Sequence, residues 1–218
     1  MYIMTQTITT PVTHKFNSFE VLRDSALPLG TKATITLTNN DVITFELAHK
    51  RAYGATNIFV SADCYGEHCM NSRLTNKGGW NISEMRQHLR KNILPLFPED
   101  LKRLIIPRTI LQKLGGEIVE PKNGPDLIWL PSFTEMAGLD MGGENKRQCE
   151  VDVNDVHFDL YGTEKSRVKE LDPHGTWWYW LRSAAASGTA NFEGVNDNGS
   201  AGNNGAGVSN GVCFGFCI

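Results

Sequence analysis

The run Trp177-Trp178-Tyr179-Trp180-Leu181-Arg182-Ser183 leads into a tract from Ala184 to Asn210 that holds six Gly, six Asn, six Ala and three Ser among 27 residues, and the chain then turns apolar through Val212-Cys213-Phe214-Gly215-Phe216-Cys217-Ile218. Taken alone, a small-residue tract of this kind behaves as a flexible linker. Here it is pinned between two apolar segments that each require burial. It therefore reads as ordered surface loops on a rigid scaffold, with short strands at Phe192 and Val195. The consecutive aromatics form either a buried strand or an exposed binding patch, and the closing run is a core strand.

Upstream, Ala33, Ile35 and Leu37 alternate with polar residues, Asn39-Asn40-Asp41 interrupts, and Ile43, Phe45 and Leu47 resume the alternation. That pattern predicts a β-hairpin with a polar turn, followed by a third strand over 57–62 and a break at Gly78-Gly79. From Trp80 the period becomes helical, with Ile82, Met85, Leu89 and Ile93 on one face and Asn81 with Glu84 placed as a capping-box pair. Pro95 limits that helix, and Pro98-Glu99-Asp100 opens a shorter turn carrying Leu101, Leu104 and Ile105. Leu127 to Leu130 reads as a short strand; Ser132 and Glu135 form a second capping box, and Gly138 stops that helix. Gly142 to Leu171 is charged and poorly periodic, an irregular excursion. The expected class is α+β, with residues 1–20 an N-terminal extension and 21–218 one domain.

With 40% hydrophobic residues over 218 positions there is material for a sizeable core, so disorder is excluded. The net charge of −3, with no dense basic block, disfavours a nucleic-acid partner held by counterion release. No apolar run approaches the ~20 residues that cross a bilayer, and Met1 to Phe16 lacks the apolar centre of a signal peptide, so neither membrane insertion nor secretion is expected. The five cysteines are an odd number, and without a secretion signal they read as reduced thiols.

Candidate chemistry is sparse. Cys64, His68 and Cys69 could supply zinc ligands if Cys149 or another residue joined them, but C-x4-C without a second pair favours structural thiols. Cys213 and Cys217 sit four apart; in one strand they would lie ~13 Å apart, which favours core packing. Asp152, Asn154, Asp155 and Asp159 begin like a calcium loop, lack its glycine and distal glutamate, and read as a solvated face. Arg182 reads as a structural contact beside an aromatic strand. No metal or cofactor is expected.

Several runs together carry a resemblance: Gly78-Gly79-Trp80 with Ser83-Glu84-Met85-Arg86, Leu94 to Leu101 with Ile105, then Leu130 and Glu135, Trp178-x-Trp180-Leu181-Arg182-Ser183, Asn196-x-x-Gly199-Ser200 and Gly211-Val212-x-x-Gly215-Phe216-Cys217. From about Ile43 to Ile218 the chain resembles a domain family of unknown function found in gut bacteria and their prophages. The resemblance implies a C-type-lectin-like C-terminal half, as in the variable proteins of diversity-generating retroelements. Such retroelements randomise adenines, mostly in Asn codons. Between Ala184 and Asn210, 26 of 27 residues are reachable from AAC or AAT by changing the first two positions, and Glu193 is the exception. The chain departs from many relatives at Ala184, where they carry Pro, and near Glu193, where they carry an aromatic or Cys.

On that resemblance, residues 177–218 are the variable, ligand-binding region. The expected surface positions are Tyr179, Ala185, Ala186, Thr189, Glu193, Asp197, Asn198, Gly202, Asn203, Asn204, Ala206 and Val208, with Tyr179 the best anchor. Trp178, Trp180, Leu181, Arg182, Phe192, Val195, Gly199, Gly211, Val212, Gly215 and Phe216 would be scaffold. The implied function is non-enzymatic recognition of a bacterial surface protein or glycan, by a phage tail-associated receptor-binding or variable protein, in the virion or the cytoplasm, with other tail subunits as further partners. Two alternatives stay open: a structural or assembly module of the particle, and an oxidoreductase of the formylglycine-generating type that uses the terminal cysteines.

Overall fold

In the computed structural model of the chain, which describes residues 13–14, 18–138, 149–186 and 188–218, the alternating segment upstream folds as the expected hairpin. Strands β2 (Lys32–Thr36) and β3 (Val42–Lys50) pair antiparallel with Ala33 opposite Phe45 and Ile35 opposite Ile43, and Asn40 takes the left-handed conformation in the turn. β1 (Thr13–His14) adds to β2 in parallel, β4 (Asn57–Ser61) lies along β3, and β14 (Gly215–Cys217) closes the sheet beside β4. All of β4 and β14 is buried, as continuous apolar runs require. Phe59 stacks on Phe216 at 5.6 Å, and Phe45 meets Phe216 edge-on at 5.1 Å. The extension assigned to residues 1–20 falls mostly outside the described residues, as do residues 142–148 of the charged excursion.

The second sheet has the order β12-β11-β10-β13-β5, made from β5 (Glu67–His68), β10 (Tyr179–Ala184), β11 (Asn191–Val195), β12 (Ala201–Gly205) and β13 (Asn210–Gly211). Two small hairpins, β6–β7 (Gln112–Leu114 with Glu117–Val119) and β8–β9 (Glu170–Leu171 with Gly175–Thr176), stand apart. Short helices α1 (Gly79–Ile82), α2 (Glu84–His88), α3 (Glu99–Lys102), α4 (Phe133–Ala137) and α5 (Glu164–Arg167) complete an α+β architecture.

Two sequence expectations are corrected here. The helix starting at Trp80 is broken at Ser83, whose hydroxyl accepts the Arg86 N–H and caps α2; Asn81 instead donates its amide to Val119 O, and Glu84 accepts from Ser72. Ile82 is consequently exposed rather than on the buried face. Leu127 to Leu130 is partly to fully buried but forms no strand, since only Trp129 bridges to Gly215.

A buried charge network joins α4 to β10. The Ser132 capping box forms as expected, and Glu135, once its backbone N–H and carboxylate have served the cap, also receives Arg108, Arg182 and the Tyr53 hydroxyl. Asp155 accepts from Arg182 at 2.6 Å and from Arg108 at 2.7 Å; Asp152 accepts from Arg182 at 3.1 Å. Asp152 and Asp155 are therefore not a solvated face, as their spacing suggested; of that cluster Asn154 and Asp159 are exposed, Asp159 beside His49. Burial raises the Asp152 carboxyl to about 6 despite Arg182, whereas for Glu135 the two guanidiniums overcome burial and hold it at about 2. β10 carries a bulge between Trp180 and Ala184, and all three side chains in it, Leu181, Arg182 and Ser183, are buried.

Candidate functional site

The antiparallel ladder of β11 and β12 runs from Asn191 opposite Gly205 to Val195 opposite Ala201. Four strand steps separate its ends by ~13 Å. The turn 196–200, with exposed Asp197 and Asn198, lies at the Val195 end; the loop 185–190, with exposed Ala186 and Thr189, and the turn with exposed Val208 lie at the other. Gly202, Asn203 and Asn204 are half-buried along the edge strand between them. Eight of the twelve expected positions thus divide between two poles of the sheet and its edge.

The other four are not on the surface. Tyr179 is fully buried, its hydroxyl donating to Arg167 O at 2.8 Å, so it is no anchor. Ala185 bridges to Cys149 and is buried; Ala206 is buried where its backbone N–H and C=O pair with Ala190 and Asn71. Glu193 is buried too. Conversely Trp178, expected in the scaffold, is 40% exposed, while the other ten scaffold positions are buried.

The pole formed by 185–190 and 205–209 is held by a residue that sequence reasoning missed. The Asn76 side-chain amide donates to the carbonyls of Ala185 (3.1 Å), Gly188 (2.8 Å) and Asn191 (2.9 Å), and its backbone N–H donates to Thr189 O at 2.8 Å. Every acceptor is backbone, so these bonds do not use the side chains the loop carries. The same strap brings Leu74, 66% exposed, against Gly205, where a Cβ would sit 2.6 Å from the Leu74 methyl. Beside it a cleft of about 270 Å³ is lined by Asn76, Lys77, Lys113, Glu150 and Ala186. The recess carries both charge signs, Lys77 and Lys113 with Glu150, alongside apolar Leu114 and Ala184 to Ala186, a mixed lining suited to small ligands.

Glu193 has a different character. Among the described residues neither of its carboxylate oxygens has a hydrogen-bond partner, and burial pushes its pKa up to about 8. Burial, then the Glu193 carboxyl, holds the Cys149 thiol up at about 12. Because the folded value of Glu193 lies above its unfolded value, the native state keeps a proton that the unfolded chain releases. Stability is then lost as pH rises from about 4.5 towards 8. Glu193→Gln should abolish that loss and be more stable by roughly 2 kcal/mol at pH 8, the unpartnered amide offsetting part of the gain. Urea melts at pH 5 and pH 8 check this, and equal pH slopes for the two proteins would refute it.

Of the cysteines, Cys213 does not neighbour Cys217 in one strand. It precedes β14, and its thiol shares a hydrogen bond with the Cys64 thiol, the two sulfurs 3.2 Å apart. His68 stacks on His88 at 4.1 Å with its Nδ1 on Cys69 O, and Cys149 lies across the sheet beside Ala185; these groups do not gather with Cys64 around one centre.

A family model described as a domain of unknown function, DUF6273, matches residues 37–218. No curated protein and no solved structure matches the chain.

Proposed function

The chain belongs to the DUF6273 family, and from that membership and the loop geometry we propose a non-enzymatic ligand-recognition protein, of the kind phage tails carry as receptor-binding or variable proteins. Its C-terminal half is read as C-type-lectin-like, and its ligand as a bacterial surface protein or glycan. One observation carries this reading: Asn76 fixes the loop through three backbone carbonyls, leaving Ala186 and Thr189 exposed, with Val208 exposed on the adjoining turn. A recognition surface needs side chains that can be exchanged without unfolding the support. Glu193, the single residue in the tract that adenine substitution in Asn codons does not reach, is buried and outside that exchangeable set.

Binding energy at such faces concentrates in a few apolar anchors surrounded by adaptable polar groups. With Tyr179 buried, that role passes to Leu74 and Val208, and the cleft between Asn76, Lys113 and Glu150 supplies the polar contacts.

The test is binding of purified protein to intact candidate host cells, comparing the native chain with a Leu74→Ser, Thr189→Lys, Val208→Asp variant. The expected result is at least about a tenfold loss of binding with Tm unchanged to within about 2 °C. Equal binding by both proteins, or binding by neither, would replace this reading with a structural or assembly module whose loops face solvent.

A further inference from the structure

We propose that Cys64 and Cys213 are a thiol pair that closes to a disulfide across the junction of the two sheets when a small-molecule disulfide of the glutathione class is present. The two sulfurs are already 3.2 Å apart. The backbones that carry them are paired as well: Tyr65 N donates to Val212 O at 2.9 Å and Val212 N to Gly66 O at 3.0 Å, extending the β5–β13 ladder towards the two cysteines. A disulfide holds its sulfurs ~2.05 Å apart, so the two need to approach by only ~1.2 Å. Neither backbone would have to move far to close the bond.

The two thiols are not equivalent. Cys64 is half-buried and Cys213 fully buried, so Cys64 is the one a reagent reaches. In the first step the Cys64 thiol loses its proton and attacks the reagent's disulfide; a Cys64–reagent mixed disulfide forms and one reagent thiolate leaves. In the second, the Cys213 thiol gives up its proton and attacks the Cys64 sulfur, forming the Cys64–Cys213 bond and expelling the second reagent thiolate. The protein loses two electrons and two protons, which the reagent's two thiols carry. The hydrogen bond to Cys213 and burial hold the Cys64 thiol above its usual range, which makes the first step slow and suits a latch rather than a turning-over catalyst.

The location sets the consequence. β4 pairs with β14 in the first sheet and β5 with β13 in the second, and the two cysteines sit in the links between those pairs. A bond here ties positions 149 residues apart. Closing so long a loop removes much freedom from the unfolded chain and should raise Tm by about 10 °C.

The experiment incubates the native protein with oxidised glutathione and follows intact mass, thiol titration in denaturant and peptide mapping. Loss of two hydrogens, three titratable thiols in place of five, a mapped Cys64–Cys213 peptide and a raised Tm that dithiothreitol reverses are expected. Cys213→Ala should stop at a single glutathione adduct on Cys64, and Cys64→Ala should keep the same Tm with and without oxidant. Five free thiols in the treated native protein, or a bond between any other pair of cysteines, would overturn the proposal; if either variant fails to fold, the native mapping decides alone.

Discussion

Replacing Arg182 by Met should cost about 3–5 kcal/mol, enough to leave the protein largely unfolded in mild denaturant. The guanidinium is completely buried and bonded to Glu135, Asp152, Asp155 and the Leu130 carbonyl. Without it, among the described residues only Arg108 remains to face three carboxylates in the same enclosed space. The loss should shrink as pH falls from 8 to 5, because Asp152, already raised to about 6 beside Arg182, then takes up a proton and removes one uncompensated charge. The native protein behaves oppositely in stronger acid: Glu135, held at about 2, gives stability that is complete above its unfolded value near 4.5 and is lost as pH falls towards 2. Urea midpoints at pH 8 and pH 5 measure the first effect and a further midpoint near pH 3 the second, and an Arg182→Met midpoint equal to the native one would show that the network contributes nothing.

Gly199→Ala should be nearly as damaging, about 3 kcal/mol or a fall in Tm of roughly 6–12 °C. Gly199 has φ +85° in the β11–β12 turn, a conformation that costs an L side chain, and a Cβ there would stand 1.9 Å from the carbonyl oxygen of Glu164. That oxygen belongs to the backbone of α5, so no side chain can turn aside to make room. The Gly199 carbonyl also receives Arg167 Nε at 2.9 Å, and the shift would disturb this bond too. A control replacement at Asp197, exposed in the same turn, should leave Tm within about 2 °C. Thermal melts of the two variants decide whether the tight approach of turn and helix is as unforgiving as its geometry implies.

What the sequence made legible was local. The Asn39-Asn40-Asp41 hairpin, the Ser132–Glu135 capping box, the strand spanning Phe192 and Val195, and the buried closing run are each specified by neighbours a few residues away. The four-aromatic run shows why the face could not be read. A strand is phased by alternation, and when successive positions are all aromatic the pattern contains no phase. The distant Arg167 carbonyl accepting the Tyr179 hydroxyl shows which way the strand lies, with Trp178 outward. Asn76 was silent for the same reason: in Thr75-Asn76-Lys77-Gly78 it looks like any turn residue, and its acceptors lie more than 100 residues away. The acidic cluster at Asp152 was misread because Arg182 and Arg108, which neutralise it, are remote in the chain.

Each sheet takes strands from both ends of the sequence: β14 returns to lie on β4, and β13 returns to β5. Assembly kinetics follow from that interlock. Neither sheet can close until segments some 150 residues apart have met, so the entropy of a long loop must be overcome before the contacts that reward it exist. Folding should be slow and all-or-none, with little accumulation of a half-built molecule. The loop 185–190 is held by Asn76 from the N-terminal part of the chain, so it acquires its shape only at that last step. Under the proposed function, the recognition face would become available only on molecules whose folding has finished, and an incompletely folded copy would have no face with which to compete for a ligand.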